Sequence, residues 1–135
     1  MSTMIFVNLP VYDLEASKAF WGKLGYSFND QFSDDKTACL VISDTIFAML
    51  MVKPRFKEFT KKDVADASTT TEVILALSAE SRERVDELAD AALSSGGSPA
   101  NETQDHGFMY GRSFQDPDDH IWEVVWMDVE AATAG

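Results

Sequence analysis

Apolar and polar positions along this chain follow one order, and the order occurs twice. Met4–Val11 (MIFVNLPV) reads as a strand and Asp13–Leu24 as a helix, and three strand-like runs follow at 26–32, 36–43 and 45–52. Glu72–Ser78 (EVILALS) then reads as a strand and Ser81–Leu93 as a helix, with further runs at 98–104, 108–115 and 120–127. In the first helix Leu14, Ser17, Phe20, Trp21 and Leu24 share a face, Asp13 stands at the N-cap, and Gly25 suits a left-handed stop. The second helix repeats the spacing with Val85, Leu88, Ala89, Ala92 and Leu93 and ends at Gly96-Gly97. Its other positions (Arg82, Glu83, Arg84, Asp86, Glu87, Asp90) are charged and form a solvated face. Turns are expected at Asp34-Asp35, at Ser43-Asp44 and, most strongly, at Asp116-Pro117-Asp118-Asp119.

Each copy is therefore βαβββ, and the fold class is α+β. Repeat one covers 1–63 and repeat two 70–128, with 129–135 as a tail and Ser68–Thr71 as linker. Pairing the copies predicts a curved eight-stranded sheet with helices outside and a cleft on its other side. Alternation along strands assigns Val7, Leu9, Phe47, Met49, Val73, Leu75, Trp122 and Val124 to the helix side. The same rule assigns Phe6, Asn8, Ile46, Ala48, Leu50, Ile74, Ala76, Ile121 and Glu123 to the cleft.

The chain has 135 residues, 45% of them hydrophobic, which fits one domain with an ordinary core. No apolar window is long enough to span a membrane, and the start of the sequence lacks the pattern of a secretory signal. Cys39 is the only cysteine. A lone cysteine excludes an internal disulfide and suits a cytoplasmic protein, and its place in an apolar run suits an inert buried thiol. A net charge of −12 excludes a nucleic-acid partner and favours either a cationic ligand or simple solubility. Five of the eleven Lys and Arg residues fall in Lys53–Lys62, with Phe56 and Phe59 between them. Such a segment reads as a lid over an anionic ligand or as a solvated crossover.

Two stretches carry a family resemblance. LPVYDLEASKAFW with the following LGY (9–26), and SFQDPDDHIWEV (113–124), resemble the vicinal oxygen chelate superfamily, which includes glyoxalase I, bleomycin-resistance proteins, fosfomycin-resistance enzymes and extradiol dioxygenases. The resemblance implies metal ligands on the first and last strands of each repeat. At those positions this chain has Phe6, Ala48, Ile74 and Glu123, so three of four are hydrocarbon and no metal or other cofactor is expected. His106 and His120 read as surface residues.

The resemblance and the residues together leave three readings. The first is metal-free binding of a small molecule, with Phe6, Asn8, Ala48, Leu50, Ile74, Tyr110, Arg112 and Glu123 as ligand-binding residues. Tyr110, Phe6, Phe56 and Phe59, and Trp21 and Trp122 unless their spacing puts them in the core, would stack on a planar ligand, and Arg112 would pair with Glu123. The second is a lactoylglutathione-lyase-like lyase or isomerase with Glu123 as the catalytic base, whose enolate Arg112 or the Lys53–Lys62 segment would steady. The third is an interaction module. A homodimer is implied by the resemblance in each case.

Overall fold

The computed structural model describes residues 2–133 and divides at Ala65–Asp66 into two compact units. The first unit runs β1 (Ile5–Val11), α1 (Leu14–Lys23), β2 (Ser27–Phe28), a 3-10 turn (Asp30–Phe32), β3 (Thr37–Val41), β4 (Ile46–Val52) and α2 (Lys53–Lys57). Its sheet has the order β1-β4-β3-β2, with β1 and β4 parallel. The second unit runs β5 (Ile74–Ser78), α3 (Arg82–Ser94), β6 (Ser98–Pro99), β7 (Gln104–Asp105), β8 (Met109–Gln115), β9 (Ile121–Met127) and α4 (Val129–Thr133). Its sheet has the order β5-β9-β8-β6, and β7 also pairs with β8. The fold is thus α+β, built from sheets of four and five strands.

Both helix starts follow from their caps. The Asp13 carboxylate accepts from the Ala16 N–H at 3.2 Å, and the Ser81 hydroxyl accepts from the Arg84 N–H at 3.1 Å. Gly25 and Gly96, with φ of +97° and +112°, stop the two helices. The α1 face of Leu14, Ser17, Phe20 and Trp21 is buried, and α1 packs on β3 and β4. Burying each large apolar side chain there contributes roughly 1.5–3 kcal/mol. Cys39 is fully buried, and burial raises its thiol pKa.

Register corrects the facing of β4. Val7 pairs with Ala48 and Leu9 with Leu50, and Ala48 and Leu50 are 0% and 1% exposed. They belong to the core under α1, together with Ile46 by alternation, and do not line a cleft. Phe47 and Met49 take the open face instead: Phe47 stacks on its register partner Phe6 with ring centroids 5.0 Å apart. The run Ile46–Val52 is apolar at every position, so no polar residue marks its outer side.

Two expected strands are shorter than their apolar patterns. After Phe28 the chain turns into the 3-10 segment, because the Asn29 side chain accepts from the Gln31 N–H at 3.0 Å. The run 98–104 is interrupted between β6 and β7. There the Ser113 hydroxyl accepts from the Asn101 N–H at 2.7 Å and donates to the Asn101 carbonyl at 3.1 Å. A side chain thus replaces the ladder bonds and bulges the edge. The expected tail carries α4, and residues 134–135 lie outside the described residues. No helix among the described residues is long and apolar enough to cross a membrane.

Candidate functional site

The second sheet has a covered face and an open one. Trp122 and Val124 of β9 and Phe114 of β8 are each 1% exposed and form the core beneath α3. Alternation places Ile121, Glu123 and Val125 of β9, and Met109, Gly111 and Ser113 of β8, on the other face. That face carries a cavity of about 350 Å³, walled chiefly by Asn101, Glu102, Gln104, Met109, Ser113 and Glu123, with Gly111 and Val125 on its floor. The volume lies at the lower end of the range for small-molecule sites.

Glu123 is half-buried in this wall, directly across the ladder from Ser113. Its carboxylate makes no hydrogen bond or ion pair among the described residues. Gly111 has no side chain to fill the floor. A Cβ there would stand 3.4 Å from Val125 Cγ2, an ordinary contact, and its φ is not in the left-handed region. Neither backbone conformation nor crowding therefore requires glycine at 111, and a glycine inside a strand often leaves room for a close approach.

Tyr110 and Arg112 are corrected by the same alternation. Arg112 pairs with Val124 in the ladder, so its side chain runs to the helix side. Arg112 borders the cavity, but its Nη1 donates to Asp86 at 3.0 Å and to Asp90 at 2.9 Å, both on α3. The Tyr110 hydroxyl donates to Asp86 at 2.7 Å. That hydrogen bond, with help from Arg112, holds the Asp86 carboxyl below its usual range. Arg112 is thus not the partner of Glu123, and Tyr110 is not presented to the cavity.

The remaining expected residues are spread over two faces and two units. Phe6 and Asn8 lie on the open face of the first sheet, where Phe6 is exposed and Asn8 donates to the Phe6 carbonyl at 3.2 Å. Ile74 lies exposed on β5 of the second. In the basic segment Pro54 lies in the first turn of α2, Arg55 pairs with Glu58 at 3.3 Å, and Phe59 is 66% exposed.

His120 is buried, not superficial, at 2% exposure. Its Nδ1 lies 2.6 Å from a Glu72 oxygen, and its backbone N–H donates to Asp116. Asp116 also accepts from the Asp118 N–H at 2.9 Å and from the Trp122 indole at 2.9 Å. Burial pushes the Asp116 carboxyl up to about 6 against these donors, which favour its charged form. The network ties the β8–β9 turn to the segment before β5. His106 is exposed beside Gln104.

The register also moves one repeat-equivalent position. Phe6 pairs with Phe47 and Ile74 with Ile121, so Glu123 corresponds to Met49 of the first repeat and not to Ala48. The ligand positions implied by the resemblance are then Phe6, Met49, Ile74 and Glu123. One carboxylate and one thioether do not make a shell for a hard or borderline divalent metal. Among the described residues no three His, Cys, Asp or Glu side chains are grouped to hold an ion. The residues present do not fit a metal.

A family model for the bleomycin resistance protein-like N-terminal region matches residues 3–43. The protein SA1046 from S. aureus has a similar structure, with TM-score 0.78 and 25% identity over 93% of this chain and 94% of that one. The chain thus resembles the vicinal oxygen chelate superfamily, through this N-terminal match and a shared fold. A glyoxalase/bleomycin resistance protein/dioxygenase family enzyme from Burkholderia phytofirmans PsJN shares the fold at TM-score 0.75 and 14% identity, over 93% of this chain and 99% of that one. So does the fosfomycin resistance protein FosX from Listeria monocytogenes, at TM-score 0.66 and 20% identity, over 93% and 91%. No curated protein matches the chain significantly in sequence.

The cavity residues Asn101, Glu102, Gln104, Met109, Gly111, Ser113 and Val125 were not among those expected from the sequence. Counting the β8–β9 hairpin outward from its turn (Gln115 opposite Ile121) is the signal that finds the strand members. No comparable signal marks Asn101 and Glu102, which the bulge brings in.

Proposed function

We propose that this protein binds a small cationic molecule, without a metal, in the cavity beside Glu123. The observation that carries the reading is the charge of the wall: Glu102 and Glu123 both line it. The guanidinium that borders it is already bound to two aspartates on α3. A cation about 4 Å from such a carboxylate gains on the order of 4 kcal/mol at an effective dielectric of 20, before its own desolvation is subtracted. Gly111, Met109 and Val125 offer apolar contact to the uncharged part of the ligand. The net charge of −12 favours approach of the same kind of ligand. Sequestration by a bleomycin-resistance-like protein is the corresponding biological role.

The lyase reading with Glu123 as base has less support. Its enolate would need an electrophile, and Arg112 is turned away. The test for both is thermal-shift screening of the parent and Glu123→Gln against cationic aromatics and glutathione hemithioacetals. Cation-induced stabilisation that is lost in the variant supports binding; turnover of a hemithioacetal that depends on Glu123 supports the lyase. A homodimer and a cytoplasmic setting belong to the same proposal. The exposed Ile5, Phe6 and Ile74 are apolar surface that a second copy would cover, and a melting temperature that rises with protein concentration tests this.

A further inference from the structure

One wall of the cavity is held by few contacts. Residues 101–108 are exposed, β7 has only two residues, and it joins β8 through Gln104–Gly111 and Asp105–Tyr110. Gln104 and Met109, at the two ends of this hairpin, line the cavity. Backbone bonds add His106 N–H to the Met109 carbonyl (2.8 Å) and Asp128 N–H to the Phe108 carbonyl (2.7 Å). Segments with little burial and exposed hydrogen bonds open locally before the rest of a fold does.

Against this background Arg82, the first residue of α3, has an unusual set of partners. Its Nη1 and Nη2 donate to the two oxygens of Asp105 at 3.0 and 2.9 Å, and Nη2 also donates to the Gly107 carbonyl at 2.9 Å. The guanidinium carbon lies 5.0 Å from the Tyr110 ring centroid and 5.2 Å from that of Trp126. Two rings fix the plane of the fork, and the fork fits the carboxylate bidentately. Gly107, at φ +79°, lets the chain reverse so that its N–H returns to Asp105 at 3.0 Å. The hydrogen bond from Arg82 holds the Asp105 carboxyl down to about 2.

We infer that Arg82 is a positioning residue that latches the 104–109 hairpin shut and so sets access to the cavity. The inference rests on reading that cavity as the binding site. It assigns Arg82 no contact with the ligand. Its effect is on entry and exit, with the hairpin as the moving wall and the β8–β9 ladder as the fixed one.

The test places a thiol on the cavity floor by Val125→Cys, in the full chain, and measures its reaction rate with a small cationic methanethiosulfonate. The native thiol of Cys39 is buried and gives the background. Arg82→Ala in the same chain is expected to raise the rate roughly tenfold, the factor equivalent to about 1.4 kcal/mol in an opening equilibrium. Amide exchange at 104–109 should accelerate with it, and exchange in α1 and β4 should stay as in the parent. If Arg82→Ala fails to fold, Asp105→Asn removes the same latch from the hairpin side and is expected to act in the same direction. Unchanged labelling and exchange in the folded variant would overturn the inference. Labelling reports access, not affinity, so absence of binding by cationic ligands would contradict the proposed function and leave this result readable.

Discussion

Arg112 and Glu123 occupy neighbouring strands of one sheet and point to opposite faces. Arg112 is opposite Val124 and Glu123 opposite Ser113, so alternation keeps the two charges on different sides of the backbone. One charge serves the fold, through α3. The other is left to the cavity.

Arg112→Ala is therefore expected to be a stability variant. It removes the donor shared by Asp86 and Asp90 and leaves two like charges on one helix face. Those carboxylates are 46% and 69% exposed, so water screens much of the loss. A destabilisation of about 1–2 kcal/mol in urea denaturation is expected. An unchanged midpoint would show that the helix contacts contribute nothing.

Gly111→Ala separates room from conformation. The added Cβ meets Val125 at ordinary distance and the backbone tolerates it, so stability should hold or rise by up to about 1 kcal/mol. Affinity for a cationic ligand should fall, because the methyl enters the cavity floor. A variant that loses stability by more than this would make the glycine a structural requirement.

Asp116 gives a pH signature with a definite sign. Burial pushes its carboxyl up to about 6 in the folded protein, against about 3.9 for an aspartate in water. Between about pH 4 and 6 the folded protein holds a proton that the unfolded chain has released. This site therefore favours folding below pH 4, and the contribution, on the order of 3 kcal/mol, is lost as pH rises through 6. Asp105 and Asp86, both held low, act in the other direction and over lower pH. Denaturation measured every half unit should show a steeper decline from pH 4 to 6 in the parent than in Asp116→Asn. Equal slopes would remove Asp116 from the account.

Equilibrium dialysis against zinc, nickel and manganese is expected to leave the protein without stoichiometric metal. Phe6, Met49 and Ile74 stand at three of the four positions where the family resemblance implies metal ligands. Tight one-to-one retention of any of the three would contradict the metal-free reading.

Much of this architecture is legible in the sequence because helix caps and amphipathic faces are local. Asp13, Gly25 and the Phe20–Trp21 face announce α1 with no tertiary information. Facing in β4 is not legible, since Ile46–Val52 has no polar position to break the symmetry between its sides. A shift of one residue in that facing also shifts the equivalence of the repeats, so that Met49 and not Ala48 answers to Glu123. Burial of His120 was hidden for a different reason: its partner Glu72 is 48 residues away. Ser113 looked like one more strand residue. Its hydroxyl instead replaces ladder bonds to Asn101 and so shapes the cavity edge.

Glu123 is proposed to make its cavity selective for positive charge. Isothermal titration of the parent and Glu123→Gln with an aryl amidinium and the isosteric aryl carboxylate tests it most directly. The parent is expected to bind the amidinium and not the carboxylate. Binding is also expected to weaken at least roughly tenfold in the variant, with less than about 0.5 kcal/mol change in stability, as for a side chain without a protein partner. Equal binding of both ions, or an amidinium affinity indifferent to Glu123, would contradict the proposal.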